Sequence, residues 1–381
     1  MAKNKTIKLD NPFVNQGYVG PEYFCDRQAE TEMICTHFKN GRNITLMAPR
    51  RIGKTGLIKN VFYHIEREDK HAICLYLDIF ATKNLQDFTE MFGSVVFNGF
   101  ARKEKTFLQK AASLLGSLRP VFSNDPFTGM PRMTITVDPS QSQLTIQQIF
   151  DLLSTSRHHI YIAIDEFQQI ANYPDKGTEA LLRSHIQFAS GVHFIFSGSK
   201  HHLMAEMFGS PQRPFFQSTE MMDLKPLDKE VYYQFANQFF EKNRGSLDKD
   251  TFSLLYDQFD GHTWYIQSVL NRLYATCRHV KSMADVNRAI VQLVDSKSPQ
   301  YESLAQFLSS NQFNLLKAIA SDGTAVEPTG SKFLRRHNMI SASAVQAALK
   351  ALVEKEFIYR TKQGYLIYDR FMSIWLKRTF G

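Results

Sequence analysis

The stretch APRRIGKTGL, residues 48–57, decides how the rest of the chain is read. It contains Gly53-Lys54-Thr55, the close of the phosphate-binding pattern G-x-x-x-x-G-K-[ST], but has Ala48 where that pattern has its first glycine. The triplet alone carries little weight, since a chain of this length meets one by chance on the order of one time in five at average residue usage. Its surroundings carry more. NITLMA (43–48) reads as a buried strand entering the loop and GKTGLIKNVFYHIERE (53–68) as the helix leaving it. A phosphate cradle needs both, because the free amides of a helix N-terminus point at the anion. The cradle then runs through Pro49, Arg50, Arg51, Ile52, Gly53, Lys54, Thr55 and Gly56. Gly53 lets the backbone approach the phosphates, Lys54 reaches the β and γ phosphates, and Thr55 offers its hydroxyl to Mg²⁺. Ala48 is the smallest departure from glycine and is tolerable if its backbone avoids positive φ.

Outward from the loop, apolar runs alternate with helical patterns, the habit of a parallel sheet covered by helices. AICLYLDI (72–79), HIYIAID (159–165), VHFIFSG (192–198) and STEMMDL (218–224) join the strand before the loop, giving an α/β unit of at least five strands. Helices are expected from Leu85 to about Leu115 and near Glu179 to Ser190. RPVFSNDPFTGMPRMTITVD (119–138) has two β-rich runs around a Pro/Gly/Asp turn and reads as a hairpin insertion, with a plain connecting loop as the alternative.

IYIAIDEF (160–167) delivers two carboxylates at the end of an apolar strand. Asp165 is placed to hold the Mg²⁺ shell, and Glu166 to orient and deprotonate the attacking water. In FIFSGS (194–199), Ser197 and Ser199 are either sensors of the γ-phosphate or ordinary turn residues. Arg213, ahead of the fifth strand, is either an arginine finger, which would suggest a homo-oligomer, or a surface arginine. No N-K-x-D guanine motif occurs, which favours ATP by elimination. Tyr23 and Phe24, in GYVGPEYFCDRQAE (17–30), either wall the adenine or pack into the core.

After residue 224 the pattern turns helical, and from about Leu304 three helices and a hairpin around Lys362, Gln363 and Gly364 follow in winged-helix order. The expected domains are an ATPase core over 1–224, a helical lid over 225–303 and a winged helix over 304–381. The net charge is +8, and residues 306–381 hold eleven Lys or Arg against five Asp or Glu, which fits either a nucleic-acid partner or a solvated face. Arg335, Arg336, Lys350, Arg360 and Lys362 would be the phosphate contacts to duplex DNA, while the alanine-rich helix from Ala342 offers few side chains to read bases.

With 43% hydrophobic residues over 381 positions, the chain can bury a sizeable core. The four cysteines lie far apart with no C-x-x-C pair, so neither a zinc knuckle nor a disulfide framework is suggested, and buried, reduced thiols are expected. No apolar run approaches the roughly 18 residues of a membrane helix, and the polar amino terminus lacks a leader pattern, so a cytoplasmic protein with no membrane partner is expected.

YFCDRQAE, LMAPRRIGKTGLI, YIAIDEFQQI, FIFSGS, GHTWYIQ and the segment from ISASAVQAALKALVEKEFI to YLIYDRFMSIWL together resemble the archaeal-type ATPase family, a branch of P-loop ATPases close to the AAA+ and STAND classes. The resemblance spans nearly the whole chain. It implies ATP and Mg²⁺ binding, an α/β core, a helical lid and a C-terminal winged helix. Two positions depart from it: Ala48, and Thr263 where a proline would follow Gly261-His262. The second leaves His262 either a lid contact or a structural histidine. The resemblance implies either an ATPase that moves its lid and winged helix, on DNA or otherwise, or a slow nucleotide switch whose winged helix binds an unidentified protein partner.

Overall fold

The computed structural model describes residues 8–103, 118–124 and 131–381. The chain divides into two compact units, residues 16–228 and residues 229–381 with 9–15. The first runs α1 (Gln28–Lys39), β1 (Ile44–Met47), α2 (Lys54–Glu68), β2 (Ala72–Asp78), α3 (Leu85–Lys103), β3 (Leu118–Asn124), β4 (Pro131–Val137), α4 (Ser142–Ser154), β5 (His159–Asp165), α5 (Thr178–Ile186), β6 (Val192–Gly198), α6 (His201–Gly209) and β7 (Glu220–Asp223).

All five expected strands form one sheet in the order β2-β5-β6-β1-β7, with every neighbouring pair parallel. Their continuous apolar runs follow from cover on both faces. Side chains alternate across the sheet. Ile160, Ile162, Ile164, Phe194 and Phe196 enter one core with Phe88, Phe92 and Phe150, while Ala163 and Ile195 enter the other with Ile44, Leu46, Leu57 and Ile58. The hairpin reading holds: β3 and β4 pair antiparallel from Leu118 opposite Val137 to Asn124 opposite Pro131. Three side chains spaced four apart on α3 complete the free edge of β4, with Glu90, Ser94 and Asn98 accepting from the amides of Val137, Ile135 and Met133. The hairpin tip and the end of the helix expected to reach Leu115 lie outside the described residues.

The second unit runs α7 (Lys229–Lys242), β8 (Ser246–Leu247), α8 (Lys249–Gln258), α9 (Thr263–Thr276), β9 (His279–Val280), α10 (Met283–Gln306), α11 (Ser310–Asp322), α12 (Ser331–Arg336), α13 (Ala342–Glu354), β10 (Ile358–Arg360), β11 (Tyr365–Ile367) and α14 (Arg370–Phe380). The boundary expected between residues 303 and 304 falls inside α10, a continuous helix that carries Pro299 in its interior. Residues 9–15, expected in the core, belong to this unit instead: Phe13 is buried against Phe239, Phe240 and Tyr274, and Asn11 and Asn271 exchange side-chain-to-carbonyl bonds with this segment and α9. Within it, Tyr265 donates to the Tyr368 carbonyl and accepts from the Arg370 amide, tying α9 to the wing and α14.

All four cysteines are free, but only Cys25 is fully buried. The other three are half-buried, a departure from the expectation. Among the described residues no helix is long and apolar enough to cross a membrane.

Candidate active site

The loop from Ala48 to Gly53 follows β1, which lies between β6 and β7 in the sheet. Ala48 is not among the positive-φ residues; its amide donates to the Gly198 carbonyl at 3.3 Å, extending the ladder beside β6, and its methyl is buried in the core with Ile52. A glycine is therefore not required at this position. The left-handed turns fall later, at Arg51 (φ 70°) and Gly53 (φ 102°), and Gly53 caps the 15-residue helix α2.

Lys54 opens that helix and is only 8% exposed. Its Nζ sits 3.1 Å from Asp165 Oδ1 and 3.4 Å from Glu166 Oε1, at the end of β5. Thr55 Oγ1 donates to Asp165 Oδ2 at 3.1 Å, and the Tyr76 hydroxyl from β2 donates to the same oxygen at 2.7 Å. Ser197, fully buried at the end of β6, donates to Asp165 Oδ1. Burial works to raise the Asp165 carboxyl, but the Lys54 ammonium, with bonds from Ser197 and Tyr76, outweighs it and holds the group below the usual carboxylate range. Asp165 is therefore a buried anion with a hydroxyl donor from each of three elements.

Glu166 adopts a left-handed conformation (φ 56°) that turns it out of the strand into a 3₁₀ turn spanning Phe167–Asn172. Its Oε2 accepts from Ser199 Oγ at 2.7 Å and from the Gln168 side-chain amide, while Oε1 faces Lys54. Asp78, paired with Asp165 in the β2–β5 register, brings a third carboxylate to this edge. Burial, with the nearby Asp165 and Glu166 charges, pushes Asp78 up.

The structure thus brings Lys54, Thr55, Asp165, Glu166, Ser197 and Ser199 into one hydrogen-bonded cluster. Arg213 is not part of it: its guanidinium pairs with Glu179, and with Glu206 at 3.6 Å. The segment over 17–24 lies against α2. Phe24 packs on the core, and a Cβ on Gly56 would come within 2.9 Å of its ring, while Tyr18 donates to Asn60 at 2.8 Å. Phe24 thus packs into the core and also borders the first turn of α2. His262 has its Nδ1 on the Phe259 carbonyl at 3.0 Å, and burial lowers its pKa.

Tyr76, Asp78 and Gln168 were not expected at this site. Tyr76 and Asp78 stand on β2, and only the β2–β5 register carries them to Asp165. Gln168 stands three positions after Asp165, inside the motif already singled out.

A parallel sheet with a capped loop and helix after an interior strand, facing an acidic pair two strands away, defines a P-loop nucleotide-binding fold, joined here to a winged helix. Residues 24–269 match a family model described as an ATPase domain predominantly from Archaea, and residues 299–378 match that of a probable winged helix domain. The chain belongs to this ATPase family. Its fold is similar to the Walker-type ATPase of Pyrococcus abyssi (TM-score 0.62, 16% identity, 96% of this chain and 99% of that one). It is also similar to two Aeropyrum pernix structures. One is the ORC2 protein in ADPNP-ADP complexes (TM-score 0.57, 16% identity, 96% and 95% covered), the other the ORC1 protein in complex with DNA (0.56, 15%, 97% and 97%). No curated protein matches the chain significantly.

Proposed function

We propose that the chain binds ATP with Mg²⁺ and hydrolyses it, coupling nucleotide state to its helical and winged-helix unit. The observation that carries this reading is the convergence of Lys54, Thr55 and Ser197 on Asp165 at the mouth of a capped loop and helix. The residues fit the groups they would hold. A buried ammonium beside a 15-residue helix N-terminus suits a polyphosphate, and a hydroxyl and carboxylate already 3.1 Å apart suit a hard, oxygen-seeking cation. Mg²⁺ held by Thr55 and Asp165 would offset the charge on the β and γ phosphates.

Lys54 would then bind the phosphates, and Glu166 would take the proton of the attacking water. The water oxygen bonds to the γ-phosphorus, the bond to the β–γ bridging oxygen breaks, and ADP leaves with that electron pair. The Glu179 and Glu206 pairs of Arg213 favour a structural role for that residue over a finger acting within one chain.

For the winged helix, the exposed face of α13 favours a protein partner over base reading. Its solvent-facing positions are Ala342, Ser343, Gln346, Ala347, Lys350, Val353 and Glu354, with Ile340 81% exposed just before them. Arg335, Arg336, Arg360 and Lys362 are exposed nearby in sequence and keep sequence-independent phosphate contact open as the second output. The test is steady-state ATP hydrolysis with Mg²⁺ across a salt series, with and without duplex DNA. Hydrolysis lost in Glu166→Gln supports the enzyme reading, and a DNA-dependent rate that weakens with salt supports DNA as the partner. Hydrolysis indifferent to DNA leaves the protein-binding winged helix, and no Mg²⁺-dependent hydrolysis refutes the enzyme.

A further inference from the structure

A general base works only if its carboxylate is aimed, and the groups that aim Glu166 are visible. Oε2 is taken by two donors, the Ser199 hydroxyl and the Gln168 amide nitrogen, while Oε1 meets only the longer 3.4 Å contact from Lys54, the side chain that would turn to the phosphates and leave this oxygen to receive a proton. The left-handed backbone at Glu166, whose amide donates to Asp165 Oδ1 at 3.0 Å, fixes the root of the side chain.

Gln168 is 4% exposed, and its amide oxygen is buried without a hydrogen-bond partner. An orphaned amide oxygen in a core is destabilising, and a residue needed only to fill this space would be leucine or methionine. The space is itself built for the amide. A side chain at Gly198 would bring its Cβ to 2.3 Å from the Gln168 oxygen and 2.6 Å from Met204. What the glutamine gains in return is its bond to Glu166.

We propose that Gln168, with Ser199, is a positioning residue for hydrolysis, holding Glu166 Oε2 so that Oε1 is presented to the attacking water. The inference rests on Glu166 acting as the base. Removing a donor from Oε2 leaves the carboxylate less well aimed, so the rate must respond while nucleotide binding does not.

The test compares full-length wild type, Glu166→Gln, Gln168→Leu and Ser199→Ala, measuring kcat and KM for ATP turnover and, separately, magnesium-nucleotide binding. Gln168→Leu is expected to lower kcat by about tenfold or more while leaving KM and nucleotide affinity within about threefold, a split that a merely structural role would not give. Ser199→Ala, which breaks the other bond to the same oxygen, should give the same signature and guards against a folding failure in the first variant. If Glu166→Gln abolishes turnover while Gln168→Leu and Ser199→Ala keep the wild-type rate, or lose rate and nucleotide affinity together, Gln168 is a packing residue and the inference is overturned alone. If Glu166→Gln turns over normally, the base assignment falls first and takes this inference with it.

Discussion

Thr55 on α2 and Asp165 at the end of β5, 110 residues apart in sequence, meet through a 3.1 Å hydrogen bond across the intervening strand β6. That contact, made again by Lys54 one residue earlier, holds the phosphate loop against the acidic edge of the sheet. It concentrates charge in a buried place, and each consequence below follows from that.

Lys54 and Asp165 have side chains only 8% and 5% exposed, so Lys54→Met strands a buried carboxylate and should lower stability by about 3 kcal/mol at neutral pH. Asp165 has a depressed pKa in the folded protein, so its contribution is present above the ordinary carboxylate value of 3.8 and is lost as pH falls through the folded value. The difference in melting temperature between wild type and Lys54→Met should therefore be largest near pH 7 and shrink below about pH 4. A difference that stayed constant with pH would contradict the buried-pair assignment.

Tyr76 shares Asp165 Oδ2 with Thr55. Tyr76→Phe removes the donor with little change in volume, and the groups that orient a metal ligand are commonly worth 10- to 100-fold in metal affinity. Titrating Mg²⁺ in the hydrolysis assay should show half-saturation moved up by about tenfold, with kcat at saturating Mg²⁺ within a fewfold of wild type. An unchanged Mg²⁺ dependence would remove Tyr76 from the site.

Gly56 stands in the first turn of α2 with the Phe24 ring where a methyl would go. Alanine is the better helix former by about 1 kcal/mol, yet overpacking costs about 1–3 kcal/mol. Gly56→Ala should destabilise the wild type and become neutral or stabilising in a Phe24→Ala background, read as a change of sign in a double-mutant cycle of urea unfolding.

Arg213 and Glu179 form a mostly buried pair, with a second carboxylate from Glu206 at 3.6 Å. Burial pushes the Glu179 carboxyl up against the pull of Arg213, so removing the arginine leaves that acid with still less reason to ionise. Arg213→Ala should lower the melting temperature while kcat per folded molecule changes by less than about threefold; a loss of 100-fold or more would restore the finger.

The sheet was legible because strands covered on both faces must be apolar throughout, and Ile160 to Ile164 or Phe194 to Phe196 could hardly be anything else. The core of the site was legible for a related reason, since a phosphate loop and an acidic pair each need a strand behind them. Gln168 and Tyr76 were not legible, because their partners are set by the 3₁₀ turn and by the β2–β5 register rather than by spacing. The start of the winged helix was legible to within a few residues, but not that α10 runs unbroken through Pro299 across that boundary. Residues 9–15 were misassigned because Phe13 finds its aromatic neighbours more than 200 positions away.

The most direct test of the central claim is titration calorimetry of the full chain with a slowly hydrolysed ATP analogue and saturating Mg²⁺, run beside Lys54→Ala. Saturable heat at one site per chain in the wild type, weakened by at least about tenfold in the variant, is the expected result. Equal binding by both proteins, or none by either, would contradict the assignment of the Lys54, Thr55 and Asp165 cluster as a nucleotide site.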